Sequence, residues 1–180
     1  MNITLFGIKG CGKSTIGLKL AKKMKRAFFD TDRLVEDLFQ ITRRKKLSVR
    51  EIYLEVGPAS FRALEYEAIQ SLQDVQNSVI AVGGGAMLRM ENIEHLQKTG
   101  HLVYLIVNKE IIKKRIFSAN NLPAYFNPND PENSFERMYE ETESFYQKIP
   151  ATQLEISGKK DEEVVKMICD LFPMDKAHGQ

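Results

Sequence analysis

Residues Gly7-Ile8-Lys9-Gly10-Cys11-Gly12-Lys13-Ser14-Thr15 fit the spacing G-x-x-x-x-G-K-[ST]. An apolar run from Ile3 to Phe6 precedes them and helical spacing from Ile16 to Met24 follows, so the loop joins a strand to a helix. That is the setting phosphate binding needs. Gly10 and Gly12 let backbone N–H groups turn inward on phosphate oxygens, and the following helix adds the positive end of its dipole. The residue types then imply ATP with Mg²⁺: Lys13 reaches the β and γ phosphates and the Ser14 hydroxyl ligates the metal. Thr15 bonds within the helix or touches the α-phosphate, and Cys11 reads as a small residue that fits the loop.

A second group of reactive residues follows the next strand candidate. Phe29-Asp30-Thr31-Asp32-Arg33 places two carboxylates at a strand's carboxyl end, where parallel sheets gather their ligands. Asp30 suits Mg²⁺ held through water, and Asp32 suits a hydrogen bond that orients an attacking hydroxyl. The pair also reads as an N-cap for the next helix, Asp32 especially. Gly83-Gly84-Gly85 ends another strand, and three consecutive glycines are costly to order unless something must approach the backbone closely, a bound substrate being the reason inferred. Arg62 lies in a helical pattern with Phe61 and Glu65, so its guanidinium serves either an acceptor carboxylate or an Arg62–Glu65 surface pair.

The elements that must position these groups alternate. Strands are predicted at Ile3 to Phe6, Ala27 to Phe29, Val79 to Val82, Leu102 to Val107 and Leu154 to Ile156. Helices are predicted at Ile16 to Met24, Ser48 to Val56, Ala59 to Leu72, Ile93 to Lys98, Ile111 to Phe117, Phe135 to Tyr146 and Glu163 to Phe172. Pro58 marks a helix start and Gly100 a helix stop. Such alternation implies an α/β fold: a three-layer P-loop NTPase architecture, a five-stranded parallel sheet with helices on both faces. One domain is expected over residues 1–175, with 176–180 as a C-terminal tail. Ser118 to Asn133 carries three prolines and five asparagines and fits neither period. Its length and composition predict a lid.

Composition narrows the function classes. Of the 180 residues, 43% are hydrophobic and 28% charged, which suits a folded domain rather than a disordered chain. A net charge of +2 spread along the chain gives no footprint for nucleic acid, and no apolar stretch approaches the roughly 20 residues that cross a bilayer. The dense run Arg43-Arg44-Lys45-Lys46 reads as a solvated loop that could lean toward the site. Cys11 and Cys169 lack C-x-x-C spacing, and Met1 leads directly into strand-like sequence, so a cytoplasmic location is expected; a monomer is the expected state, though no sequence feature carries it.

Taken together and in order, the P-loop, Phe-x-Asp-Thr-Asp, Ser48-x-x-Glu51-Ile52 through Gly57 to Phe61-Arg62 and Glu65, and Val79-Ile80-Ala81-x-Gly83-Gly84-Gly85 resemble shikimate kinase from Asn2 to about Ile156. The resemblance implies ATP, Mg²⁺ and a shikimate acceptor in aromatic amino-acid biosynthesis. It implies roles for Asp30 at Mg²⁺, for Asp32 and Gly83 to Gly85 at the acceptor hydroxyls, and for Arg62 at the acceptor carboxylate. Arg115 is implied to pack against adenine. Two family arginines are absent. Leu122-Pro123-Ala124-Tyr125 stands where the lid carries Arg-Pro-Leu-Leu, and Thr142 stands where a second carboxylate-binding arginine is expected. No cation shares the face of Thr142, since Arg137 lies about 140° around the helix. Two other readings therefore stand beside a shikimate kinase: a kinase of another polyol or sugar acid, or a nucleotide-binding protein with little kinase activity.

Overall fold

A computed structural model describes residues 1–119 and 122–173. Among them, five parallel strands, β1 (Asn2–Phe6), β2 (Ala27–Asp30), β3 (Ser78–Ala81), β4 (Gly100–Ile106) and β5 (Thr152–Glu155), form one sheet in the order β2-β3-β1-β4-β5. The helices are α1 (Lys13–Met24), α2 (Thr31–Arg43), α3 (Val49–Gln70), α4 (Met90–Thr99), α5 (Lys109–Ser118), α6 (Pro131–Tyr146) and α7 (Asp161–Leu171), with a 3₁₀ turn at Ala86–Leu88. None of them is long and apolar enough to cross a membrane.

Both faces of the central strands are covered, which is why they read as continuous apolar runs rather than alternating ones. Ile3 and Leu5 of β1 pack with Leu20 of α1, Ile112 of α5 and Ile168 of α7. Phe6 points the other way, packing with Leu96 of α4, Ile69 of α3 and Tyr146 of α6. In register, Leu5 of β1 is opposite Ala81 of β3 and Val103 of β4. The carboxyl ends of β1, β2 and β3 therefore open together, and the loops after them share one edge of the sheet.

Four details differ from the sequence reading. No helix was expected between Asp32 and Ser48, yet α2 occupies Thr31–Arg43. Its apolar residues Leu34, Val35, Leu38 and Phe39 recur at helical spacing, and Val35 and Phe39 pack on Ile52 and Phe61 of α3. The basic run thus begins as the end of α2. Lys45 pairs with Glu55 at the surface, and none of the four basic residues lines the cavity described below. Next, the two expected helices at 48–56 and 59–72 are joined in α3 across a kink at Gly57, whose φ of 77° only glycine adopts without strain. A capping box from Ser48 and Glu51 starts α3, and Pro58 restarts it after the kink.

The cap of α2 is Asp30, whose Oδ1 accepts from the Asp32 backbone N–H at 3.0 Å, rather than Asp32. Finally, the segment read as a lid is shorter than 118–133. Ser118 closes α5, and Pro131 to Asn133 form the first turn of α6, capped by Asp130. It is also anchored: Phe126 is buried in the core and Leu122 packs against it. Asn120, Asn121 and the tail 176–180 lie outside the described residues.

Candidate active site

The phosphate loop runs from the end of β1 to the first turn of α1. Gly10 and Gly12 have φ of 89° and 100°, and Gly12 precedes α1 with no side chain capping the helix. First-turn N–H groups are thereby left without an intrahelical partner, a ready anion site. The buried Lys13 ammonium donates to the carbonyls of Gly7 at 2.8 Å and Ile8 at 3.2 Å. Ser14 and Thr15 are exposed beside it, whereas Cys11 is buried, as a small residue filling the loop should be. Across the loop, Arg115 Nη1 donates to the Gly10 carbonyl at 3.0 Å. Arg115, Thr15 and Lys159 edge a cavity of about 290 Å³ on that side.

A larger cavity of about 780 Å³ lies on the other side. Lys9, Lys13 and Ser14 line it together with Asp30, Asp32, Arg62, Glu65, Gly84 and Gly85. The two motif groups that the sequence separates by some seventy residues thus face one space. Thr31, wholly buried between the two aspartates, accepts from the Gly83 N–H at 2.8 Å and ties the end of β2 to the triple glycine.

Each of the three glycines leaves room for a protein group. A Cβ on Gly83 would overlap the Asp32 carboxylate, one on Gly85 would sit 2.6 Å from Nη2 of Arg62, and one on Gly84 would press on Lys9 at 3.2 Å. Close approach is therefore required, as the sequence suggests, but protein groups already supply it. The Gly84 carbonyl also accepts from the buried Tyr146 hydroxyl at 2.7 Å, a contact sequence reasoning missed.

The electrostatics are set by burial. Asp32 has its pKa raised, first by loss of water and then by the neighbouring Asp30 charge, with Lys13 and Lys9 opposing. Glu65 is also pushed up by burial, against the pull of Arg62, with which it forms an ion pair. Arg62 is thus Glu65's partner, as one sequence reading had it, though Glu65 is buried rather than at the surface, and it also lines the cavity. Lys9 has its pKa lowered, chiefly by desolvation and further by Lys13 and Arg50, while Asp32 raises it.

Both positions that lack an expected arginine are placed by the fold. Thr142 is buried on the cavity wall, and the Leu122 carbonyl accepts from Arg50 Nε at 3.0 Å. Arg137 does not neighbour Thr142 directly, yet it lines the same cavity, because Ser134, Arg137, Met138, Glu141 and Thr142 form one broad stripe of α6. The cavity is wide enough to meet about 140° of that helix. Tyr53 and Tyr125 complete the wall, ring centroids 6.2 Å apart, with Phe61 5.4 Å beyond Tyr53. Burial holds the Tyr125 phenol up to about 12. Lys9, Arg50, Tyr125 and Arg137 were not read as site residues. Lys9 carried a signal, a cation inside the phosphate loop; the others depend on how α3, the lid segment and α6 pack.

Comparison with known proteins agrees with this geometry. Residues 9–172 match the family model for shikimate kinase. A shikimate kinase of Caldanaerobacter subterraneus is 36% identical over 167 residues, covering 93% of each chain. One of Syntrophus aciditrophicus is 38% identical over 154 residues, covering 83% of this chain and 76% of the other. Among solved structures, shikimate kinase from Acinetobacter baumannii in complex with shikimate superposes with a TM-score of 0.83 at 27% identity, over 98% of this chain and 94% of that one. A phosphate loop, a pair of aspartates and a triple glycine around one cavity thus coincide with a match along nearly the whole length, and the chain belongs to the shikimate kinase family.

Proposed function

We propose that this protein transfers the γ-phosphoryl group of ATP to a hydroxyl of shikimate. The observation that carries the reading is the shared cavity: Lys13 and Ser14 of the phosphate loop line it together with Asp32, Gly84, Gly85 and Arg62. ATP with Mg²⁺ supplies the activated phosphoryl group. The protein's part is placement and charge, which dominate catalysis of this transfer.

In this mechanism the uncapped start of α1 receives the phosphates, and Lys13 exchanges the Gly7 and Ile8 carbonyls for β and γ oxygens. Ser14 and Asp30 line the same cavity, and they would hold Mg²⁺ with water and nucleotide oxygens, the sparse protein ligation this ion favours. Asp32 accepts a hydrogen bond from the attacking hydroxyl, and its raised affinity for a proton suits it to receive one. The hydroxyl oxygen bonds to the γ-phosphorus while the bond to the bridging oxygen breaks. The electron pair leaves with ADP, and the hydroxyl proton passes to Asp32 and then to solvent.

Arg62 holds the acceptor carboxylate, Gly84 and Gly85 border the acceptor hydroxyls while the buried Gly83 makes room for the Asp32 carboxylate, and Arg115 packs on adenine beside the smaller cavity. Pro123, Ala124 and Tyr125 form the closing edge of a lid whose ends are α5 and α6. All these groups come from one chain, which fits a monomer, and the need for ATP fits the cytoplasm. The test is ADP release dependent on shikimate in wild type and Lys13→Ala. The variant is expected to lose on the order of 10²–10³ in kcat. A variant within threefold of wild type would remove Lys13 from the reaction and with it the assignment of this loop.

A further inference from the structure

The large cavity holds a guanidinium that the mechanism above does not use. Arg50 sits in the first turn of α3, half-buried, and lines the cavity. Its Nε donates to the main-chain carbonyl of Leu122, 72 residues away, at the edge of the lid segment. Among the described residues it forms no ion pair, so the terminal nitrogens of the guanidinium have no anionic partner. Arg62 of the same cavity differs, being paired with Glu65, and Arg137 on α6 is the third arginine of its wall. Partly desolvated cations without a counter-ion are costly, and a cavity that keeps one is built to receive an anion.

Position says which anion. Arg50 is close enough to Lys9 to repel its ammonium, and the other charges that Lys9 feels are Lys13, on the nucleotide side, and Asp32, on the acceptor side. Lys9 thus stands between donor and acceptor, with Arg50 beside it. Resting on the proposed phosphoryl transfer, we infer that Arg50, seconded by Lys9, contacts the phosphoryl group in transit and stabilises the charge that spreads over its oxygens. As the bond to the bridging oxygen breaks and the bond to the acceptor oxygen forms, those oxygens need cationic donors, and Arg50 and Lys9 both line the cavity that would hold them. Leu122, whose side chain is apolar, contributes a carbonyl that aims the Arg50 fork. The cation comes from α3 and its alignment from the lid, so it is complete only when both are in place.

Two substitutions separate this role from a structural one. Arg50→Gln keeps a donor for the Leu122 carbonyl but has no charge, and Arg50→Met keeps neither. Both are expected to lower kcat by about 10²-fold, with KM for shikimate moving by less than about threefold, because the contact tightens only in the transition state. Adding Leu122→Arg to Arg50→Gln is expected to recover about tenfold of that loss, by returning a guanidinium to the same place from the lid side. A Gln variant within threefold of wild-type kcat, or a loss confined to KM for shikimate, would overturn the inference. The latter would make Arg50 a carboxylate ligand. ATP hydrolysis without acceptor distinguishes this failure from that of the proposed function, because transfer to water uses the same phosphoryl cations. A wild type that ignores shikimate removes the proposed acceptor. Equal hydrolysis rates in wild type and Arg50→Gln remove the role of Arg50.

Discussion

Asp32 shows how the residue proposed to take the acceptor's proton also carries a cost. Its carboxylate is packed against Gly83, within the field of Asp30, and loses solvent, so its pKa stands above the ordinary value of 3.8. Folding therefore favours its protonated form. Stability contributed by this group falls as pH rises from the ordinary carboxylate range through the raised value, and the full penalty persists at neutral pH. Asp32→Asn removes that penalty. We expect the variant to melt at a higher temperature than wild type at pH 8, with the gap narrowing toward pH 4, while turnover drops by about 10²–10⁴-fold as a proton acceptor is lost. Thermal melts at the two pH values check the sign; a variant less stable than wild type at pH 8 would mean that Asp32 is held by attraction rather than tolerated. The residues of this site were legible in the sequence to the extent that they sit in spaced motifs. Lys13 stands out by the spacing of its loop, and Asp32 and the triple glycine by their place at strand ends. Arg50 and Tyr146 do not stand out, because what ties them to this region is a partner 72 or 62 positions away.

At the scale of elements, the triple-glycine loop is held by α6. Tyr146 is fully buried, its ring lying edge-on to Phe6 at 5.3 Å and to Tyr104 at 5.7 Å, and its hydroxyl reaches the Gly84 carbonyl. Burial raises the Tyr146 pKa, so the hydroxyl remains a donor throughout the working pH range. Tyr146→Phe leaves the aromatic packing in place and removes only the donor to a buried carbonyl, a loss worth about 1–3 kcal/mol. A lower denaturation midpoint with a raised KM for the acceptor is expected, and an unchanged midpoint would show that Gly84 finds water instead. The α6 period was readable in sequence, yet its function as a strut was not. Conversely α2 carried its own signal in Leu34, Val35, Leu38 and Phe39, obscured by the charged residues among them and the basic run that follows. The end of the loop read as a lid was misplaced for a physical reason as well: Pro131 looks like a loop residue but is the first residue of α6, where a missing N–H costs nothing.

For the molecule as a whole, the sheet order β2-β3-β1-β4-β5 is what turns a linear set of motifs into a cavity. It places β3 between β1 and β2, so the phosphate loop, the aspartate pair and the triple glycine leave adjacent strands at one edge. The alternation of apolar runs and helical periods was enough to expect a parallel sheet covered on both faces, but strand order follows from packing that no local pattern records. The departures at Leu122 and Thr142 leave the cavity with cations from α1, α3 and α6 rather than the expected set, so acceptor preference is where the family assignment meets its hardest test. The decisive measurement is kcat/KM for ATP-dependent phosphorylation by the wild-type protein across shikimate and a panel of uncharged polyols and sugar acids at equal concentrations. Shikimate is expected to be preferred, yielding one ADP per phosphorylated acceptor. Faster turnover of another acceptor, or ADP release that no acceptor stimulates, would contradict the assignment of this cavity to shikimate.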